Sequence, residues 1–247
     1  NLGWSHVTEM FINYQVKRYS QTIAIANEYD LPLTPDAQAV MHSQSLVFMD
    51  SLDVLESTLE KYKEIGLSNN MGEPSSHSLL LIMVCDAFLL SDKPGLKLYA
   101  ERLKDWAETH SDEASYHRNL GYAYFYMDSL AQAVETWKQE EIAPEDWPGW
   151  LRHTLQIEYM SRMGYSYGQL GDPLQAQAMK DSIQVFLSPY PGFSATKDYY
   201  LSRIYLGLGQ KEQAVNSLDK AIEQGFNFFR PTVFARDPFL YQLHGYE

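Results

Sequence analysis

The chain has 247 residues, 45% of them hydrophobic and 21% charged, with 19 basic against 32 acidic side chains and a net charge of −13. That much apolar material can bury a sizeable core, which excludes a disordered chain. The acidic balance repels phosphate backbones and anionic lipid, so nucleic acid and membrane surfaces are set aside as main partners.

From the N-terminus, Trp4, Val7, Thr8 and Phe11 are spaced as on a helix, and Tyr19, Thr22, Ile23 and Ala26 predict a second one ended by Pro32. Phe48-Met49-Asp50-Ser51-Leu52 is echoed downstream by Tyr126-Met127-Asp128-Ser129-Leu130, and predicts a helix–turn–helix around residues 36–66. After the turn signal Gly66-Leu67-Ser68-Asn69-Asn70 comes the longest apolar run, Leu79 to Cys85. It falls far short of the roughly 18–20 residues that span a bilayer and predicts a core helix. Cys85 is expected to be a buried small hydrophobe, and as the lone cysteine it permits no intrachain disulfide and no cysteine-rich zinc site. Met83, Val84, Ala87 and Leu90, then Leu96, Ala100 and Leu103 beyond the turn Asp92-Lys93-Pro94-Gly95, predict a further helix pair.

From here a pattern recurs. Leu120-Gly121-x-x-Tyr124 is followed by Ala133 and Trp137. Met163-Gly164-x-x-Tyr167-x-x-Leu170-Gly171 is followed by Ala176 and Ile183, and Leu201-Ser202-x-x-Tyr205-x-x-Leu208-Gly209 by Ala214, Leu218 and Ala221. The spacings between these units are 43 and 38 residues, a period that signals helical repeats. The extra length around Pro144 to Tyr159 is expected to extend a helix or add a turn, with Trp147-Pro148-Gly149-Trp150 as a packed inter-repeat turn and Pro148 at a helix start. In the tail, Gly225 suits a helix C-terminus and Asp237-Pro238 an N-cap followed by proline at the first helical position. Phe226, Phe228, Phe229 and Phe234 lie between them, and the segment to Tyr246 is expected to cap the apolar face of the last repeat. Strand signals are nearly absent.

These units resemble the tetratricopeptide repeat (TPR) family. The resemblance implies an all-α superhelix of about six antiparallel helix pairs with a short C-terminal capping helix. Degenerate pairs would fill residues 1–110, three clearer units 111–225 and the cap 226–247, in one continuous array. Gly121, Gly164 and Ser202 would let helices cross closely opposite Ala133, Ala176 and Ala214, with Tyr124, Tyr167 and Tyr205 filling the wider space. The tail Arg236-Asp237-Pro238-Phe239-Leu240-Tyr241-Gln242-Leu243 is similar to the closing segment of TPR regions in bacterial signalling and transcription regulators.

No chemistry is legible beside the repeats. His6, His42, His77, His110, His117, His153 and His244 show no paired metal-ligand spacing. There is no phosphate-binding glycine loop, and Gly164-Tyr165-Ser166-Tyr167-Gly168 lies within a helical pattern rather than at a nucleophile elbow. The acid pairs Glu140-Glu141 and Glu145-Asp146 are adjacent, so they cannot face each other across a substrate. Catalytic, cofactor-binding and metal-binding residues are therefore expected to be none, and the chain is read as a non-enzyme.

Within the resemblance, the first helices of successive units line a concave groove. That side would present Arg118, Tyr122 and Tyr126, then Glu158, Ser161 and Tyr165, then Tyr199 and Arg203. Tyrosine and arginine combine apolar area with a polar handle, so this face is expected to bind a peptide or partner segment. The family's Lys/Asn clamp for chaperone C-termini is not matched, since Arg118 is followed by Tyr122. The expected function is a protein-interaction scaffold within a larger protein; the alternative is a ligand-binding sensor domain of a bacterial regulator. No signal peptide is visible, and a start at Asn1 rather than Met is expected of a processed or excised piece. A single cysteine fits the cytoplasm, while a bacterial periplasm stays open if a signal or anchor has been removed.

Overall fold

The computed structural model describes residues 18–28, 35–64, 76–91, 94–112, 115–139, 149–189, 192, 194–224 and 239–243. Among these the regular elements are all helical: eleven α-helices and one 3-10 helix, with no strand. None of the helices is long and apolar enough to cross a membrane. Several expectations lie outside the described residues: the opening Trp4–Phe11 pattern, Pro32, the turn at Gly66–Asn70, Asp92 and Lys93, the acid pairs, Trp147-Pro148, Gly225, the phenylalanines from Phe226 to Phe234, and Asp237-Pro238. The chain forms two compact units, Asn1–Ser111 and Asp112–Glu247.

Unit 1 contains α1 (Tyr19–Glu28), α2 (Pro35–Phe48), α3 (Leu52–Glu64), α4 (Ser76–Ser91) and α5 (Leu96–Thr109). The apolar run of α4 is hydrophobic around its circumference, and such a helix must be enclosed. Accordingly Leu80, Leu81, Val84, Cys85, Ala87 and Phe88 are buried, and α4 packs against both α2 and α5. In α5, Tyr99, Ala100, Leu103 and Ala107 form the buried stripe. The Glu56 carboxylate of α3 accepts hydrogen bonds from Tyr99 Oη (2.5 Å) and Arg102 Nη1 (2.5 Å), and burial together with Glu56 pushes the Tyr99 phenol up. Burial, helped by the charge of Lys61, holds the His42 imidazole down at about 4.

Unit 2 contains α6 (Tyr116–Tyr126), α7 (Leu130–Trp137), α8 (Gly149–Gln169), α9 (Pro173–Leu187), α10 (Ser194–Gly207), α11 (Lys211–Glu223) and the 3-10 helix Leu240–Leu243. Consecutive helices pair as α6 with α7, α8 with α9 and α10 with α11, and α8 also packs along α10. Ala133, Ala176, Ala214 and Ala221 are fully buried, as their places in the repeat predict. The glycines differ from expectation in what they face. A Cβ on Gly121 would meet the Trp137 indole at 2.2 Å, and one on Gly164 would meet Ile204 Cδ1 at 2.7 Å. A bulky side chain from the neighbouring helix, not the expected alanine, fills the space that the missing Cβ leaves. Gly168 and Gly207 face backbone instead: a Cβ on Gly168 would lie 2.4 Å from the Gly207 carbonyl carbon. These two bring α8 and α10 together backbone to backbone.

One turn recurs in both units. Asp50 (φ 62°), Asp128 (φ 59°), Gly171 (φ 77°) and Gly209 (φ 71°) are left-handed, each just past the end of a helix. At Asp128 the N–H donates to the Phe125 carbonyl (3.1 Å) and the Ser129 N–H to the Tyr124 carbonyl (2.9 Å). Val47 and Leu46, Gly168 and Tyr167, and Leu206 and Tyr205 accept in the same two roles at the other turns. This is the Schellman arrangement, which satisfies the last carbonyls of a helix. The echoed sequences around Asp50 and Asp128 therefore encode one geometry, with aspartate where glycine fits more readily. Beyond the Gly171 turn, Asp172 Oδ1 accepts from the Gln175 N–H (3.1 Å) and Pro173 starts α9. Gly209→Ala should cost about 1 kcal/mol, whereas Asp128→Gly should be neutral or gain about 0.5 kcal/mol. Urea unfolding of the two variants checks the opposed signs.

Candidate functional site

The side chains that converge most closely in unit 2 come from α6, α8 and α10, the first helices of its three pairs. Glu158 stands one turn before Arg162 on α8, a spacing that lets an acid and a base meet on one helix face. Arg162 Nε donates to Glu158 Oε1 at 2.8 Å, and Arg203 Nη1 reaches across from α10 to Glu158 Oε2 at 2.7 Å. The approach of α8 to α10 through Gly168 and Gly207 brings that second guanidinium within reach. The Glu158, Arg162 and Arg203 side chains are 17%, 4% and 6% exposed. Burial alone would push the Glu158 carboxyl up, but the Arg203 and Arg162 guanidiniums outweigh it by charge and hydrogen bonding and bring it down to about 2.

Polar partners and ring faces hold both arginines. Arg162 Nη1 donates to Tyr126 Oη (3.3 Å), while Arg203 donates to Tyr199 Oη (3.0 Å) and, at 3.4 Å, to Ser161 Oγ. The Arg162 Cζ lies 4.7 Å from the Tyr122 ring centre and 5.4 Å from that of Phe125. Arg203 Cζ stands 5.0 Å from Tyr199 and 4.9 Å from Tyr200. Two cations share one buried anion, and the aromatic faces partly offset the remaining positive charge.

One further ring closes the cluster. Phe239, just before the 3-10 helix, is 2% exposed. Its centre lies 5.2 Å from Arg162 Cζ and 4.7 Å from Arg203 Cζ. It meets Tyr165 edge-on at 4.7 Å and Phe125 at 5.5 Å. Gln242 Nε2 then donates to Tyr165 Oη (2.8 Å).

The structure thus joins Tyr122, Tyr126, Glu158, Ser161, Tyr165, Tyr199 and Arg203 in one contact network. It does so in a buried form: Tyr122, Tyr126, Ser161, Tyr199 and Arg203 are buried, and Tyr165 and Glu158 are half-buried. The Arg118 carbonyl accepts from Trp137 Nε1 (3.2 Å), and the Trp137 ring in turn packs against Tyr122. The described part of the tail lies against α10 and against side chains of α6 and α8. Sequence reasoning missed Arg162, Phe125, Tyr200 and Phe239. The four-residue step from Glu158 signals Arg162; nothing local signals which face Phe239 will cover.

Apart from this buried cluster, a concavity of about 660 Å³ lies along α8 and α9, lined mainly by Met160, Met163, Met179, Val185 and Phe186 with Lys138 beside it. Among the described residues no group of three or more His, Cys, Asp and Glu is placed to hold a metal ion. Compared with protein-family models and with curated proteins, the sequence matches none.

Proposed function

We propose that the chain is a tetratricopeptide-like interaction scaffold, without enzymatic activity, whose first-helix face in unit 2 takes a peptide or partner segment. One observation carries this reading: α6, α8 and α10 together already hold a short piece of polypeptide by one aromatic ring and one amide. Tyrosine and arginine dominate that face, and these residue types are enriched where proteins bind proteins. Clustered titratable groups do occur on this face, but its ion pairs run from the Glu158 carboxylate to the guanidiniums of Arg162 and Arg203, which are 4% and 6% exposed. That arrangement suits positioning rather than proton transfer, because arginine keeps its proton.

Peptide panning tests the reading on the whole chain carrying Phe239→Ala, which uncovers the face. Enriched peptides should carry an aromatic residue, and Tyr165→Ala should weaken them about tenfold, or about 1.4 kcal/mol. Circular dichroism should show the same helical fold in both proteins. Enrichment of nothing, or of peptides indifferent to Tyr165, overturns the reading. The methionine-lined concavity along α8 and α9 favours a second reading, a sensor of a small apolar ligand, since pockets of this size and lining are typical of such sites. A saturable thermal shift with a metabolite library would support it.

A further inference from the structure

We propose that Arg162 and Arg203 form a socket for a single aromatic side chain, and that Phe239 of the same chain fills it in place of a partner's phenylalanine or tyrosine. The proposal rests on the peptide-binding reading above and names both the chemistry of the guest and its competitor.

The socket is built without its occupant. Glu158 bridges the two guanidiniums, Tyr126 holds one, and Ser161 and Tyr199 hold the other. These ties come from α6, α8 and α10, so the two cationic faces stay oriented whether or not a ring lies between them. Preorganised sites of this kind bind more tightly because little freedom is lost on filling them. Selectivity follows from the chemistry. A guanidinium face attracts the electron-rich face of an aromatic ring, and the edge-on contact with Tyr165 at 4.7 Å fits the geometry that ring pairs prefer. An aliphatic side chain would fill the volume and forfeit both.

The occupant, Phe239, belongs to a short described segment, residues 239–243. It precedes a four-residue 3-10 helix, Leu240–Leu243, a length at which helix formation contributes little by itself. Within the segment the Gln242 N–H donates to the Phe239 carbonyl at 3.4 Å, a long bond. Gln242 Nε2 to Tyr165 Oη, at an exposed position, ties the segment to α8. A ring and an amide three positions apart are features that many short segments could present. An intramolecular guest of this kind competes through its effective concentration, so a partner must exceed it to enter.

The experiment uses the full chain and a synthetic peptide of its own residues 236–243, Arg-Asp-Pro-Phe-Leu-Tyr-Gln-Leu, with binding read by fluorescence anisotropy. Phe239→Ala should bind the peptide at least tenfold more tightly than the unaltered chain. Replacing the peptide's phenylalanine with alanine should abolish binding, and added peptide should raise the melting temperature of Phe239→Ala but not of the parent. Phe239→Leu, which keeps apolar volume, guards against a simple folding defect and should also take up the peptide. Equal affinity for the parent and Phe239→Ala would overturn the competition while leaving the peptide-binding reading intact. No binding by folded Phe239→Ala would overturn both. Loss of helical structure in both variants would make the ring an integral part of the core and overturn the proposal.

Discussion

Glu158→Gln should destabilise unit 2 by about 3–5 kcal/mol, the cost of leaving buried guanidiniums without their anion. That is a large fraction of the 5–15 kcal/mol that holds a typical domain together, so the melting transition should drop steeply. The reason is asymmetry. Glutamine matches the shape and can still accept hydrogen bonds, but two cations at 4% and 6% exposure would face each other across a neutral amide. Replacing all three residues by apolar ones (Glu158→Leu with Arg162→Met and Arg203→Met) should do far less harm, because no charge is then left buried and unpaired. If the single substitution is as mild as the triple one, the carboxylate is not the keystone of the cluster.

Acid titration offers an independent check. The folded Glu158 carboxyl is held at about 2 against an ordinary 4.5. Its contribution is therefore fully present above pH 4.5 and is lost as the pH falls from there through 2. Glu158→Gln should lack this loss, so the parent and variant curves should converge toward pH 2. His42, in unit 1, acts in a higher window. Its imidazole is lowered to about 4 from 6.5, so the unfolded chain binds the proton first and stability declines between pH 6.5 and 4 in both proteins.

Gly168→Ala should destabilise by about 1–3 kcal/mol, the range for overpacking a tight interior. In helical backbone this change ordinarily gains about 0.5–1 kcal/mol, so its sign is the test. The new methyl would lie 2.4 Å from the Gly207 carbonyl carbon and 2.7 Å from its oxygen. Backbone cannot swing aside as a flexible side chain can, so α8 and α10 must separate. Gly207→Ala meets the same obstacle from the other side, 2.4 Å from the Tyr165 carbonyl oxygen. Separation also stretches the reach of Arg203 to Glu158, so these variants should bring down the melting temperature and the acid response together. Chemical unfolding that shows a gain in stability would mean that the helices tolerate a wider spacing.

The helical nature of the fold was legible from apolar spacing and turn residues, which act over a few positions. Legible too were the buried alanines and the shared turn at Asp50 and Asp128, where four identical residues after an aromatic one produce the same backbone. The candidate face follows from a family resemblance rather than from spacing alone. Its members meet because 122 and 126, 158 and 161 and 165, and 199 and 203 each fall on one side of a helix. Periodicity reports a side, however, and not what will lie against it. What lies against Tyr165 and Arg203 includes Phe239, which reaches them from far along the chain. Likewise Gly121 announced a close approach without saying that Trp137 makes it.

The turns at Asp50 and Asp128 bear on how the protein ages. Each aspartate is followed by serine, a pairing in which the next backbone nitrogen can attack the side-chain carboxyl, closing a succinimide ring that reopens largely to isoaspartate. Here that nitrogen is engaged: Ser51 N–H donates to the Leu46 carbonyl (3.0 Å) and Ser129 N–H to that of Tyr124 (2.9 Å). Ring closure needs the nitrogen to leave its acceptor and turn toward the carboxyl. Chemical damage at these two positions therefore waits on the fraying of a helix end, and its rate on storage is a slow clock for how often each hairpin opens.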